Sequence, residues 1–183
     1  MTDGPLREQV EQVASRVRDI RTRPVIVAID GRSGSGKTTF AAELSAQLPD
    51  ATVVHLDDIY PGWDGLAATP ALVAAQVLAP LRRHELAAFR RFDWERDEFG
   101  PLVPVHPAAV VIVEGAGSSV GLARSYADLR LWLEADEPVR KRRALDRDGD
   151  AYRPHWGRWA RQEDEVFGAD NTRERADIIL RTQ

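Results

Sequence analysis

Apolar positions along this chain fall into helical and strand-like rhythms that take turns. Leu6, Val10, Val13, Val17 and Ile20 recur at steps of three and four, which predicts an amphipathic helix within residues 1–22 that packs on the rest of the molecule. Pro24 to Ile29 carries no polar interruption, as expected of a strand buried on both faces. Phe40, Leu44 and Leu48 then share one helical face, and Pro49-Asp50 ends it. Thr52 to Leu56 reads as a second strand, residues 70–90 as helix with a break near Pro80, Ala109 to Glu114 as a third strand, and Leu129 to Leu133 as a fourth. Pro138 suits the first turn of a helix, Tyr152 to Phe167 reads as loop then helix, and Asp177 to Leu180 as a last short strand. The stretch from Phe92 to Pro107 follows neither rhythm and is expected to be irregular. Strands separated by helices imply an α/β fold, a five-stranded parallel sheet flanked by helices on both faces. No repeat, low-complexity tract or linker divides residues 1–183, so one domain is expected.

The junction between the first strand and its helix carries the most specific chemistry. Gly31-Arg32-Ser33-Gly34-Ser35-Gly36-Lys37-Thr38 is a Gly-x-x-x-x-Gly-Lys-Thr loop followed by Thr39. Such a turn aims successive backbone N–H groups at an anion, because glycine accepts the dihedrals a nest requires. The helix that follows adds its positive end. The expected ligand is a nucleoside triphosphate, ATP, held by Gly31, Ser33, Gly34, Ser35, Gly36, Lys37, Thr38 and Thr39. Lys37 would reach the β- and γ-phosphates, and the Thr38 hydroxyl would ligate Mg2+. With strand, loop and helix in this order, the expected architecture is the P-loop NTPase fold.

Composition narrows the remaining possibilities. A formal net charge of −4 argues against a nucleic-acid-coating or membrane-surface role. The chain has no cysteine, which excludes disulfides and thiolate chemistry. No run approaches the length of a membrane span and the first residues lack a signal-peptide pattern, so a cytoplasmic location is expected. His55, His84, His106 and His155 show no metal-ligand spacing and read as ordinary surface or core residues.

Ligands of parallel sheets sit at the carboxyl ends of the strands, so polar residues there are candidates for chemistry. Glu114 ends an aliphatic run and is expected to hold magnesium. Asp57, after the second strand, is placed to accept a hydrogen bond from an acceptor hydroxyl and take its proton; Asp58 beside it reads equally well as a turn residue. Arg140, Lys141, Arg142, Arg143 and Arg147 lie where a lid over the phosphates would hang, within residues 138–160. Among them Arg143 and Arg147 are the candidates to touch phosphate. Trp156 and Trp159 have the spacing of indoles packed on a sheet, although Arg153 and Arg158 interleaved with them also suit nucleic-acid stacking. Trp63 and Trp94 are better placed as walls of an acceptor pocket.

Together these residues resemble the uridine kinase family of P-loop kinases, relatives of phosphoribulokinase, over roughly residues 24–181. Asp57-Asp58-Ile59-Tyr60 is similar to the family's Asp-x-Phe-Tyr, which implies that Asp57 is the catalytic base and that Tyr60 lines the acceptor site. Phe92-Asp93-Trp94 resembles a Tyr-Asp-Phe segment, Val113-Glu114-Gly115 the family's magnesium-holding Val-Glu-Gly, and Arg142-Arg143 to Arg147-Asp148 its arginine-rich lid. Phe92 stands where the family has tyrosine, and Glu95-Arg96-Asp97 where it has a histidine. The ribose loop is shortened to Pro61-Gly62-Trp63-Asp64-Gly65, in which Asp64 is the candidate to bind sugar hydroxyls. The resemblance implies an ATP- and Mg2+-dependent kinase for a small-molecule hydroxyl, with uridine or cytidine as first guess. A different acceptor (a sugar acid, a cofactor precursor or a nucleoside monophosphate) and a nucleotide-sensing binding module remain open, and the oligomeric state is not set.

Overall fold

The computed structural model describes residues 4–183, so the first residues of the expected 1–22 segment lie outside the described residues. Helix α1 spans Gly4–Asp19, β1 Val25–Asp30, α2 Lys37–Gln47 and β2 Ala51–His55. Helices α3 (Thr69–Val73) and α4 (Ala79–Arg82) are joined by a π-helical turn, Ala74–Leu78. Strands β3 (Ala87–Asp93) and β4 (Glu98–Val105) precede β5 (Val110–Glu114) and the short α5 (Gly121–Arg124). Then come β6 (Leu129–Glu134), α6 (Glu137–Tyr152), α7 (Trp156–Asp170) and β7 (Ile178–Arg181). The main sheet has five parallel strands in the order β2-β5-β1-β6-β7. Among the described residues no helix is long and apolar enough to cross a membrane.

The uninterrupted apolar run of β1 is explained by its central place in this order. Val25, Val27 and Ile29 pack with Val13, Val17, Phe40 and Leu44 of α1 and α2 on one face. Ile26 turns to the other face and packs with Val111, Val113, Trp132 and the helical stretch containing Val73 and Leu78. Each fully buried aliphatic side chain of this kind contributes about 1.5–3 kcal/mol. The glycine loop therefore leaves from the end of a strand that is buried along its whole length. The edge strands β2 and β7 are only partly buried, as their mixed composition leads one to expect.

Two expectations need correction. Phe92 to Pro107 is not irregular: Ala87–Asp93 and Glu98–Val105 form an antiparallel hairpin outside the main sheet, with a register shift between Arg90 and Phe92. Its alternation was hidden because one face is solvated and dense in charge, while Ala87, Phe89 and Phe92 of β3 are buried. The Asp93 carboxylate accepts from the N–H groups of Glu95 and Arg96 and closes the turn. Residues 70–90 are not one helix broken at Pro80 either. Helical structure ends at Arg82, and the π-helical turn just before Pro80 carries the chain past it without interruption. A wider turn accommodates the ring and the missing N–H of proline, which an α-helix interior would not.

Candidate active site

The loop after β1 is held in a conformation that only glycine supports at three positions. Gly31, Gly34 and Gly36 have φ of 140°, 78° and 92°. At Gly34 a Cβ would lie 2.7 Å from the Arg140 carbonyl carbon and 2.8 Å from its Cα, so α6 packs directly against the loop. Lys37 begins α2 and is buried; its Nζ donates to the Arg32 carbonyl at 3.0 Å across the loop. Ser33, at the crest, has all its polar groups engaged. Its N–H donates to Glu163 Oε1 at 2.6 Å, its carbonyl accepts from Arg140 Nη1 at 3.1 Å, and its Oγ accepts from the Tyr152 hydroxyl at 2.9 Å. Burial pushes the Glu163 carboxyl up, opposed by the Lys37 charge and the Ser33 amide. Sequence reasoning missed Tyr152 and Glu163 here and did not single out Arg140 among the cations of residues 138–160, because none carries a local motif.

Glu114 ends β5, in register with His55 on β2. Its Oε1 accepts from Thr38 Oγ1 at 3.1 Å and lies 2.6 Å from His55 Nδ1. Burial alone would raise the Glu114 carboxyl, but the His55 hydrogen bond and the Lys37 charge outweigh it and hold the group below its usual range. The same hydrogen bond raises the His55 imidazole. His55 is thus no ordinary surface residue; its register opposite Glu114 places it there, and that pairing of distant strands leaves no local signal in the sequence. Among the described residues no cluster of three or more acidic, His or Cys side chains could hold a metal ion by itself. An ionised carboxylate beside a hydroxyl is nonetheless a donor set of the hard oxygen type that suits Mg2+, which binds few protein groups and takes phosphate oxygens for the rest.

Asp57 follows β2 in a single 3-10 turn, Leu56–Asp58. Protein surrounds it on most sides, and burial together with the Glu114 charge pushes its carboxyl up, against the pull of Arg147 and Lys37. Its side chain is open to water within the cleft.

The remaining candidates divide sharply. Trp94 Nε1 donates to the Asp57 carbonyl at 2.8 Å, fixing both residues. Trp63 stacks on His155 with ring centroids 4.2 Å apart and meets Trp94 at 4.7 Å. Tyr60 lines the cleft through its ring only, because its hydroxyl donates to the Ala116 carbonyl at 2.9 Å. Phe92 is buried behind Trp94 and does not line the cleft. Asp64 does not line it either; it forms a surface ion pair with Arg158, which holds its carboxyl low. Arg147 faces the cleft and is bound to its neighbour Asp148 at 2.7 Å. Arg143 donates to Thr182 Oγ1 at 3.0 Å and to the Gln183 carbonyl, joining α6 to the chain beyond β7.

These groups share one cleft of about 1220 Å³ that crosses the carboxyl ends of the sheet. The glycine loop lines this cleft together with the carboxylates of Asp57 and Glu114 and with Arg143 and Arg147 of α6. The comparisons with known proteins agree with this geometry. No protein-family model matches the chain. A uridine kinase from Leuconostoc citreum is 28% identical, the match covering 70% of each chain. A cytidylate kinase from Pyrobaculum calidifontis is 30% identical, over 68% of this chain and 61% of its own length. Among solved structures, a chain described as a possible uridine kinase from Bacillus stearothermophilus superposes with a TM-score of 0.74 at 20% identity, covering 96% of this chain and 98% of its own. In sequence the chain is thus similar to uridine and cytidylate kinases, a kinship that supports a nucleoside or small-molecule kinase, and in fold it shares the α/β architecture of the possible uridine kinase.

Proposed function

We propose that this chain is an ATP- and Mg2+-dependent kinase that transfers the γ-phosphoryl group to a hydroxyl of a small acceptor lacking phosphate, uridine and cytidine being the leading candidates. The observation that carries the reading is the convergence of Lys37, Thr38, Glu114 and Asp57 in one cleft, with Thr38 Oγ1 and Glu114 Oε1 at 3.1 Å. Lys37 and the loop amides bind the phosphates. Thr38 and Glu114 would hold magnesium, which when bound neutralises charge on the β- and γ-phosphates. Asp57 orients the acceptor hydroxyl and takes its proton as the new P–O bond forms and the bond to the β-phosphate oxygen breaks. Residues 138–160 act as the lid, bringing Arg147 toward the transferred group.

The half of the cleft around Asp57 supports an acceptor without phosphate. Its walls are Trp63, Trp94 and Tyr60, which suit the apolar faces of a sugar or a planar base. The arginines beside it are already paired: Arg91 with Asp58, Arg147 with Asp148 and Arg158 with Asp64. A monophosphate would need one of them released.

Coupled ADP release over an acceptor panel tests the reading. Uridine or cytidine should be turned over, and Asp57→Asn should lower kcat by at least about a hundredfold while calorimetric MgATP affinity is kept. Undiminished transfer in that variant removes Asp57 from the mechanism. Turnover of nucleoside monophosphates alone reassigns the acceptor.

A further inference from the structure

The sheet order gives the cleft a direction. Asp57 follows β2 at one edge, the phosphate loop follows β1 at the centre, and β7 ends at the opposite edge. The cleft continues past the loop to that far edge, where Leu6 and Gln9 of α1 face Thr182 and Gln183 beyond β7. A triphosphate whose γ-phosphate points toward Asp57 must carry its nucleoside out over this far end. Helix α1 was expected only to pack on the domain, and its Val10, Val13 and Val17 do so. Leu6 and Gln9, however, are only partly buried and line the cleft.

We propose that Leu6 and Gln9 form the subsite for the donor's purine base, with Leu6 against the ring face and the Gln9 amide reading the Watson–Crick edge. This rests on the triphosphate reading above. A primary amide offers both a donor and an acceptor, as an adenine edge requires, N6–H donating and N1 accepting. The Gln9 side chain is free to turn to that task. Its Nε2 makes one long hydrogen bond, 3.4 Å, to the Arg181 carbonyl. Thr182 Oγ1, by contrast, is committed, donating to the Ser35 carbonyl at 2.9 Å and receiving Arg143. It fixes the wall without being available to the base. The core face of α1, locked to α2 and the sheet, supplies the rigidity that such reading needs.

The consequence is a specificity change from one atom pair. Gln9→Glu replaces the mixed edge by two acceptors, which oppose adenine N1 and suit the N1–H and N2–H of guanine. Calorimetry of the full chain with MgATP and with MgGTP should show the ATP-over-GTP preference of Gln9→Glu lowered by roughly tenfold or more. Leu6→Ala, which truncates the stacking wall, should weaken both nucleotides together. Gln9 lies off the apolar face of α1, whereas Leu6 also packs at the end of the core that α1 shares with α2, and melting curves check that both variants fold. If the parent binds MgATP while both variants keep its affinities for both nucleotides, the subsite is wrong and the kinase reading stands. If the parent binds neither nucleotide, both fall.

Discussion

Gly34→Ala separates the role of the loop's shape from that of its charge. The glycine sits at φ 78°, where a side chain costs about 1–2 kcal/mol. Its added methyl would fall inside contact of Arg140, 2.7 Å from the carbonyl carbon and 2.8 Å from Cα. Both atoms belong to the backbone of a helix, so relief requires α6 or the loop to move as a body. Overpacking of this kind costs about 1–3 kcal/mol. The sum is about 2–5 kcal/mol, a large part of the 5–15 kcal/mol that holds a typical domain together. A chain of this length loses about 2–4 °C per kcal/mol, so Tm should fall by about 10 °C. A loop displaced by even an ångström also misaims its amides, and MgATP affinity should fall by more than about tenfold. Gly168→Ala is the matched control. It lies in α7 with nothing within 4 Å of an added Cβ, and should gain about 0.5–1 kcal/mol from helix propensity. Differential scanning fluorimetry and MgATP calorimetry on the pair decide the matter. A Gly34→Ala protein with the parent's Tm and affinity would refute the reasoning, since it would mean that α6 does not press on the loop.

Two further outcomes follow from separate parts of the molecule. Lys37→Met keeps the buried stem but removes the charge, and should weaken MgATP by roughly ten- to a hundredfold in calorimetry, the worth of a hydrogen bond to a charged group. Asp177 accepts from Arg130 N–H, Nε and Nη2 at 2.8, 2.9 and 2.7 Å, and those bonds hold its carboxyl below the usual range. A depressed carboxyl stabilises the fold above its unfolded value and loses that contribution as pH falls through its folded one. Asp177→Asn should therefore cost about 1 kcal/mol at neutral pH, the pair being partly exposed. Urea melts should show the gap to the parent closing in acid; a gap independent of pH would contradict the assignment.

Buried Asp30 shows how tertiary structure adds to what a motif announces. It ends β1, and its carboxylate accepts from the N–H groups of Gly31, Gly117 and Ser119 and from the Ser119 hydroxyl. Burial pushes this carboxyl up against those bonds. It ties the loop after β1 to the turn after β5 and so keeps the Lys37 and Glu114 ends of two strands together. In the sequence it is only an acid before a glycine.

What the chain carries locally could be read without a structure. The glycine loop, the apolar run of β1 and the alternation of strands with helices each depend on consecutive residues, whose dihedral and burial preferences act at short range. That was enough for the α/β architecture and for singling out the glycine loop as the candidate phosphate site. The relation of β2 to β5 was not local. Only the parallel register sets His55 against Glu114, and only the packing of α6 and α7 brings Arg140, Tyr152 and Glu163 onto Ser33. Side-chain competition decided the rest: Arg158 claims Asp64, and the Ala116 carbonyl claims the Tyr60 hydroxyl. The hairpin was obscured by its solvated face, because charge on one side of a strand masks the period that burial imprints on the other. Residue order sets which groups exist and how the backbone bends near them; which partners they meet depends on register and packing across distant segments, and those are settled only when the whole core closes.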